Sequence, residues 1–271
     1  MIRLLPPLDE VLSGQLGRMM AGVRVNDLSI RREADGSLRI AKRRRWSSRA
    51  LIRAGNVYLR WIRADVRVLD DAEWRAKERE FHRRAYGIEC DVDDRGWLIL
   101  PYRPGVTLAR YAAAGRIPLE ERLQALATSC RALQTLHRIE IPSLRDGPEP
   151  FSHGDATLRN VVLDAEGGLA HWIDLDTAHE SGMAALDRHA DDLRALLYSS
   201  AATFRDASME DVIRAVRRGY EGSAVWDRLR DRLSRAPIHA NAFHLAQARV
   251  EAGRRRRLER LILALDRSVV G

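Results

Sequence analysis

Two stretches near the N-terminus alternate apolar and polar residues with a period of two, which is the pattern of β-strands. They run from Asp27 to Glu33 and from Leu38 to Arg43, and the residues Ala34 to Gly36 between them predict a tight turn. Alternate residues of a strand share a face, so Ile40 and Lys42 are expected on the same side of the second strand. The pattern therefore predicts an N-terminal β-hairpin.

A second hairpin is predicted further along the chain. The β-prone runs Val161 to Leu163 and His171 to Ile173 are joined by the glycine-containing turn Asp164 to Gly168. A buried strand is predicted at Trp97 to Leu100. Helical spacing of apolar residues occurs in 71–86, 118–139, 184–198, 209–220, 224–233, 240–251 and 253–270. The chain thus mixes strands and helices, with most helices in its second half.

One carboxylate falls on the apolar side of the predicted helix from Asp71 to Tyr86. Asp70 and Asp71 open this helix, and Gly87 closes it. Its apolar stripe contains Trp74, Phe81 and Ala85, with Glu78 on the same stripe. The residues assigned to the opposite, charged face are Glu73, Lys77, Glu80 and Arg84. A carboxylate that points inward needs a cationic partner.

For two basic segments the sequence allows more than one partner. Trp46 to Leu69 carries tryptophan and aliphatic residues among arginines, and its spacing predicts an amphipathic helix. This helix either packs on the neighbouring sheet or docks on an anionic membrane or amphiphilic substrate. Gly253 to Val270 begins with four consecutive arginines at 254–257 and offers a similar pair of interpretations: a packed terminal helix, or a membrane or acidic-partner anchor.

The composition is that of a globular protein. The 271 residues suffice for one large domain or two small ones, and 45% of them are hydrophobic against 31% charged. No apolar run is long enough to cross a bilayer, and the prolines at 6 and 7 argue against a signal peptide. Cys90 and Cys130 lack metal-ligand spacing, which favours a reduced, cytoplasmic compartment.

The formal net charge of +8 favours anionic partners. Nucleotide phosphates come first and anionic lipid second, while no specific nucleic-acid interaction is expected. Among the 46 cationic residues only Lys42 and Lys77 are lysines. A retained lysine suits a role that arginine fills poorly, such as presenting a compact point charge to phosphate oxygens. The alternative for Lys42 is an ordinary exposed lysine.

The stretch Phe151 to Thr177 carries the candidate chemistry. Asn160 lies just before the first strand of the second predicted hairpin and Asp174 just after its second strand, so the hairpin brings both to one end. Asp155 is expected on the loop that enters the hairpin. Two carboxylates and an amide that converge suit a divalent cation with bound phosphates. The alternative is that these polar residues only cap strands and turns.

The spacing H-x-D-x-x-x-x-N, followed by an apolar strand and Ile173-Asp174, resembles the catalytic core of protein-kinase-like phosphotransferases. The sequence His153-Gly154-Asp155 is similar to the aminoglycoside phosphotransferase branch, because protein kinases usually carry arginine where Gly154 stands. The resemblance implies an α+β fold with two lobes, a β-rich nucleotide-binding lobe at 1–102 and a mainly helical catalytic and acceptor-binding lobe at 103–271. It places the hinge between the lobes at Pro101 to Pro104.

The same resemblance assigns roles to residues. Asp155, with His153 beside it, becomes catalytic, and Asn160 and Asp174 become ligands of Mg²⁺. Lys42 binds ATP phosphates and is held by Glu78; Glu73 is the second choice, since residues 73–76 faintly resemble a motif of lipopolysaccharide-core kinases. Asp192 is either the aspartate that binds the catalytic-loop backbone or a simple helix charge.

Some features depart from the family or lie outside its motifs. No glycine-rich G-x-G-x-x-G precedes Lys42. The usual Asp-Phe-Gly reads Asp174-Leu175-Asp176 here, so Asp176 is either a further metal contact or the partner of an arginine such as Arg159. His137 has no companion at metal or triad spacing, which favours a structural role.

The sequence therefore predicts an ATP- and magnesium-dependent phosphotransferase. The acceptor is expected to be a hydroxyl of a small molecule or glycan, and the basic, tryptophan-containing segment favours a lipopolysaccharide sugar. Two alternatives remain: a Ser/Thr protein kinase, and a kinase-like scaffold without catalytic activity. The expected location is cytoplasmic, with peripheral binding at the inner face of the membrane as a further alternative.

Overall fold

The structure, a computed structural model, describes residues 25–61, 64–143, 147–164, 168–235 and 250–265. Its strands are β1 (Asn26–Arg32), β2 (Leu38–Arg44), β3 (Val66–Val68), β4 (Asp91–Val92), β5 (Leu98–Pro101), β6 (Val106–Thr107), β7 (Glu140–Ser143), β8 (Gly147–Pro150), β9 (Val161–Leu163), β10 (Ala170–Trp172) and β11 (Thr177–His179). Its helices are α1 (Ser48–Trp61), α2 (Asp71–Tyr86), α3 (Leu108–Ala112), α4 (Leu119–Leu136), α5 (Ala185–Thr203), α6 (Met209–Gly219), α7 (Ser223–Arg235) and α8 (Ala252–Leu263). The predicted helix at 240–251 falls almost entirely outside the described residues.

The predicted N-terminal hairpin is confirmed and belongs to an antiparallel sheet. Strands β1 and β2 pair with Leu28 opposite Lys42, and the sheet order is β1-β2-β5-β4. One face of this sheet packs against α2, where Trp74, Cys90 and Leu98 form a small buried cluster. Lys42 is buried on β2. The predicted boundary after residue 102 lies between β5 and β6, and it stays a prediction.

Helix α2 begins and ends where the sequence predicts. The Asp70 side chain accepts a hydrogen bond from the Glu73 backbone N–H, and the Glu73 carboxylate accepts one from the Asp70 backbone N–H. This reciprocal capping satisfies two donors that the first turn leaves open. At the other end Gly87 takes a left-handed φ of 65°, which stops the helix at low cost. The predicted apolar stripe is also confirmed, because Trp74 and Phe81 are buried.

The predicted continuous helix from Trp46 to Leu69 is wrong at its C-terminal end. Helix α1 ends at Trp61, and Val66–Val68 forms strand β3, which pairs antiparallel with β11. Two valines around Arg67 suit a strand, and β11 supplies the backbone partner that local spacing cannot reveal. On α1, Ile52 and Leu59 are buried whereas Trp61 is 68% exposed, and Trp46, two residues before the helix, is 89% exposed. The helix therefore packs with one face, and both tryptophans lie in solvent.

The second half of the chain is mainly helical around one large core. Helix α4 packs against α6, and α5 packs against α7. Leu126 and Leu133 on α4 and Leu193 and Leu197 on α5 are fully buried in this core. The second predicted hairpin is confirmed as β9 and β10, with Val161 opposite Trp172, and β6 adds a third strand. Among the described helices none combines the length and apolar character that a membrane span requires.

Gly219 marks the closest approach of two core helices. It is the last residue of α6, and a Cβ added there would collide with the backbone carbonyl of Ala127 and the side chain of Cys130 on α4. That contact is with backbone, so the neighbour cannot rotate away. We expect Gly219→Ala to lower the free energy of unfolding by about 1–3 kcal/mol in urea denaturation followed by circular dichroism.

The matched control is Gly253→Ala in α8, where an added Cβ would have no neighbour within 4 Å. Removing a helical glycine without a clash should stabilise the protein by about 0.5–1 kcal/mol. Similar effects of the two substitutions would show that α4 and α6 are not packed as closely as described.

Candidate functional site

Lys42 lies at the centre of a buried ionic cluster. Its Nζ is 3.1 Å from Glu78 Oε1, 2.5 Å from Asp174 Oδ1 and 3.0 Å from Asp176 Oδ1. Burial alone would lower the pKa of Lys42, but these three carboxylates raise it well above its ordinary value. The lysine is therefore a fixed positive charge that joins β2, α2 and the segment after β10.

Glu78 is held by more than its lysine. Its Oε1 also accepts hydrogen bonds from Trp74 Nε1 and from the Leu175 backbone N–H, each at 3.3 Å. Burial would raise the pKa of Glu78, but the charge and hydrogen bond of Lys42 together with His82 lower this pKa overall. Of the two glutamates considered from the sequence, Glu78 is the one that contacts Lys42. Glu73 instead pairs with Arg67 on β3.

Asp174 and Asp176 differ sharply in exposure. Asp174 has a positive φ of 67°, a conformation that costs energy for a residue other than glycine, and its side chain is 44% exposed. Asp176 is mostly buried and lies 3.6 Å from Arg44 Nη2, while Asn26 donates a hydrogen bond to it at 2.6 Å. Burial and the charge of Asp174 raise the pKa of Asp176. The arginine beside Asp176 is thus Arg44, whereas Arg159 is exposed on the turn before β9.

Asp155 and Asn160 form a second polar group close to the first. Asn160 Nδ2 donates to the backbone carbonyl of Asp155 at 2.9 Å and to its Oδ2 at 3.0 Å. The Ile173 backbone N–H donates to the carbonyl of Asn160 at 2.9 Å. Ile173 directly precedes Asp174, so this backbone bond ties the Asp155–Asn160 pair to the ionic cluster.

His153 has a structural position within this group. It is fully buried, and its Nε2 donates to the carbonyl of Ile173 at 3.0 Å. Burial lowers the pKa of His153 to about 4, so the ring is neutral near pH 7. Next to it, Gly154 has a φ of +85°, and a Cβ there would lie 3.0 Å from Thr177 Oγ1 and 3.1 Å from the Cα of Ala178. The loop therefore passes directly against β11.

Asp192 fixes the loop from the side of α5. Its two oxygens accept hydrogen bonds from the backbone N–H groups of His153 and Gly154 at 2.7 and 2.8 Å. His137 Nε2 lies 3.0 Å from the same carboxylate, and its Nδ1 lies 2.7 Å from the Tyr220 hydroxyl. Of the two interpretations of Asp192, binding to the loop backbone is confirmed. The contacts of His137 agree with the predicted structural role.

Lys77 occupies a position that the sequence pattern did not indicate. Its Nζ donates to the backbone carbonyls of Ser152, His153 and Thr177 at 3.0, 3.3 and 2.9 Å. Its assignment to a solvated charged face was therefore wrong. Three donors on one compact ammonium match three carbonyls, a geometry that a planar guanidinium cannot reproduce. The sequence feature that could have indicated a special role for Lys77 is the scarcity of lysine, since the chain contains only Lys42 and Lys77.

The donor set is suited to Mg²⁺. Oxygens of Glu78, Asp174 and Asp176 lie within 4.8 Å of one another, and carboxylate and amide oxygens are the ligands that this ion prefers. All three carboxylates pair with Lys42, and Asp174 is the most exposed of them, at 44% against 1% for Glu78 and 20% for Asp176. Asp174 is therefore the carboxylate of this cluster that could best reach an ion.

Comparison with known proteins adds little. No protein-family model matches the chain, and no curated protein matches it. Among solved structures, a candidate aminoglycoside phosphotransferase from Ralstonia eutropha JMP134 is 9% identical, with 94% of this chain and 96% of that chain covered, at a TM-score of 0.36. A similarity at this level supports no conclusion about this chain.

The buried Asp192 carboxylate gives a testable stability prediction. Burial would raise its pKa, but the bond from His137 and the nearby histidines lower this pKa far below the ordinary value. The stabilisation is therefore present above pH about 4 and lost as the pH falls towards the folded pKa. We expect Asp192→Asn to cost about 3 kcal/mol at pH 6 in urea denaturation, and the difference from wild type to shrink below pH 4.

Asp227→Asn is the control, since that carboxylate is 59% exposed on α7. It should leave stability within about 0.5 kcal/mol of wild type at every pH. If Asp192→Asn loses no more stability than this control, the hydrogen bonds described for the buried Asp192 carboxylate are contradicted.

Lys77 gives a second pH dependence, of the same sign but in the alkaline range. Burial lowers the pKa of Lys77 to about 8, although the negative charge of Asp192 acts to raise this pKa. Between this value and the ordinary lysine pKa of 10.5, the unfolded chain binds the proton and the folded chain does not, so folding becomes more favourable as pH rises.

We therefore expect the difference in unfolding free energy, wild type minus Lys77→Met, to increase from pH 8 to pH 10. Other titrating groups are common to both proteins and cancel in the difference. A flat or falling difference would show that burial does not lower the pKa of Lys77 in the folded chain.

Proposed function

We propose that the protein is a phosphotransferase that moves the γ-phosphoryl group of ATP to a hydroxyl of a small molecule or glycan. The observation that carries the proposal is the junction at Ile173. The Lys42–Glu78–Asp174 cluster and the Asp155–Asn160 pair meet there, since the Ile173 backbone N–H donates to the carbonyl of Asn160. This convergence supports the assignment of a phosphate-binding cation, metal ligands and a base to these residues.

Phosphoryl transfer requires positioning and charge neutralisation more than covalent catalysis. We assign Lys42 to the phosphate oxygens of ATP, and Glu78 keeps its ammonium in place. Asp155 orients the acceptor hydroxyl and takes its proton. Asn160 and Asp174 hold Mg²⁺, which when bound neutralises phosphate charge.

Three further residues hold these groups in place without contact with substrate. His153 fixes Ile173, one residue before Asp174, and Asp192 fixes the backbone of His153 and Gly154. Lys77 binds the loop before Asp155 and the strand after Asp176 at once. We regard all three as positioning residues, because a buried or backbone-bound side chain cannot reach a bound acceptor.

Two finer points belong to the same proposal. A division into a nucleotide-binding lobe at 1–102 and a catalytic lobe at 103–271 would put Lys42 on one side of the cleft and Asp155 on the other. The exposed Trp46 and Trp61 beside arginines favour a glycan acceptor such as a lipopolysaccharide sugar, because aromatic faces stack on sugar rings and arginines bind their phosphates.

The test is a turnover assay with Mg²⁺ and labelled ATP over aminoglycosides, free sugars, lipopolysaccharide core oligosaccharides and casein. For whichever acceptor is labelled, Asp155→Asn should lower kcat by about 10²- to 10⁴-fold with little change in the KM for ATP, since only proton removal is lost. Lys42→Met should instead weaken ATP binding, measured by calorimetry.

Asp227→Asn makes the same chemical change as Asp155→Asn at an exposed site on α7 and should retain wild-type kcat. Undiminished turnover in Asp155→Asn would overturn the role of Asp155. Label on casein alone would favour the protein-kinase alternative, and absence of ATP binding by the wild-type chain would favour the scaffold.

A further inference from the structure

A groove lies between α1 and α2 and extends to Arg44, the arginine beside Asp176. It encloses about 660 Å³, a size common among small-molecule sites. Its walls come from both helices, from Arg44 at the end of β2 and from Val92 on β4. Neither Lys42, Asp155, Asn160 nor Asp174 lines it. The groove therefore adjoins the candidate active site through Arg44, without containing the residues assigned to ATP, metal or acceptor.

The walls of the groove are strongly basic. The arginines that line it are Arg44, Arg49, Arg53, Arg75 and Arg79. The acidic residues that line it are already engaged, because Asp71 pairs with Arg75 at 2.8 Å and Asp70 caps α2. Within the described part of the chain, no acidic side chain pairs with Arg49 or Arg53. An excess of positive charge therefore faces the groove.

Arg44 is the most informative of these residues. Its side chain is only 4% exposed, and its Nη2 donates to the carbonyl of Leu69 at 3.2 Å and lies 3.6 Å from Asp176 Oδ1. Its Nε and Nη1 are also buried, yet no described residue accepts a hydrogen bond from them. A guanidinium stays charged, so it cannot avoid the cost of buried, unpaired donors by losing a proton. An acceptor supplied by a ligand would satisfy them.

The chemistry of the walls defines the ligand. Guanidinium groups bind phosphate with two parallel hydrogen bonds. Ile52, Ala72 and Ala76 add apolar surface along the same groove, which suits a non-polar portion next to the anion. We propose that this groove binds an organic phosphate, with the phosphate group on Arg44, Arg49 and Arg53 and the apolar portion between α1 and α2.

Such a phosphate could belong to a soluble metabolite or to a lipid headgroup, and the experiment separates the two. The probes are phenyl phosphate, followed by calorimetry, and phosphatidylglycerol vesicles, followed by flotation against phosphatidylcholine vesicles. We expect Arg49→Gln combined with Arg53→Gln to weaken binding about tenfold or more, the loss expected for one charge-assisted hydrogen bond. Both arginines are exposed on α1, so this variant should fold normally. Arg44→Met should give an equal or larger loss.

Two controls separate this site from general electrostatics and from the ATP site. Arg83→Gln combined with Arg84→Gln removes the same two charges from α2 outside the groove, where both arginines pair with Glu80, and Lys42→Met disables the proposed ATP site. Binding that survives both controls but not the Arg49/Arg53 change supports the proposal, with phenyl phosphate indicating a soluble ligand and vesicles a lipid one.

The proposal is overturned if neither probe binds the wild-type chain. It is also overturned if the Arg49/Arg53 variant binds as tightly as wild type, or if Lys42→Met abolishes binding while circular dichroism shows that this variant is folded. None of these outcomes depends on phosphotransferase activity, so the two proposals can fail independently.

Discussion

The contact between one buried ammonium and three carboxylates is the constraint on which the arrangement of the candidate site depends. Lys42 comes from β2, Glu78 from α2, and Asp174 and Asp176 from the segment after β10. A charge this deeply buried is tolerated only when it is paired, so these three parts of the chain must stay together. Removal of Lys42 would leave Glu78 buried without its main counter-charge.

A second layer of contacts holds the backbone around that cluster. Asp192 accepts from two consecutive loop N–H groups, and Lys77 donates to carbonyls on both sides of the site. The negative Asp192 carboxylate thus faces backbone N–H groups, and the positive Lys77 ammonium faces backbone carbonyls. The loop that carries Asp155 is thereby fixed from α2 and from α5, although neither helix is adjacent to it in sequence.

Features that depend on neighbouring residues were predictable from the sequence. The hairpin β1–β2, the hairpin β9–β10 and both ends of α2 follow from alternation, turn residues and caps. The inward position of Glu78 followed from helical spacing. Features that depend on a distant partner were not: β3 needs β11, Asp176 finds Arg44 rather than Arg159, and Lys77 turns inward because three carbonyls from distant segments face it. Amphipathic patterns reveal which side chains are apolar, but they do not show where unpaired backbone carbonyls will lie.

Gly154 brings the loop that carries Asp155 into close contact with β11. A side chain at this position would press on Thr177 and Ala178, so the loop and β11 touch through their backbones. β11 is further paired with β3 and bound by Lys77. A segment anchored in three ways cannot easily swing out and back as an on–off gate. The loop that carries Asp155 and strand β11 therefore form one unit, joined by backbone contacts and by Lys77.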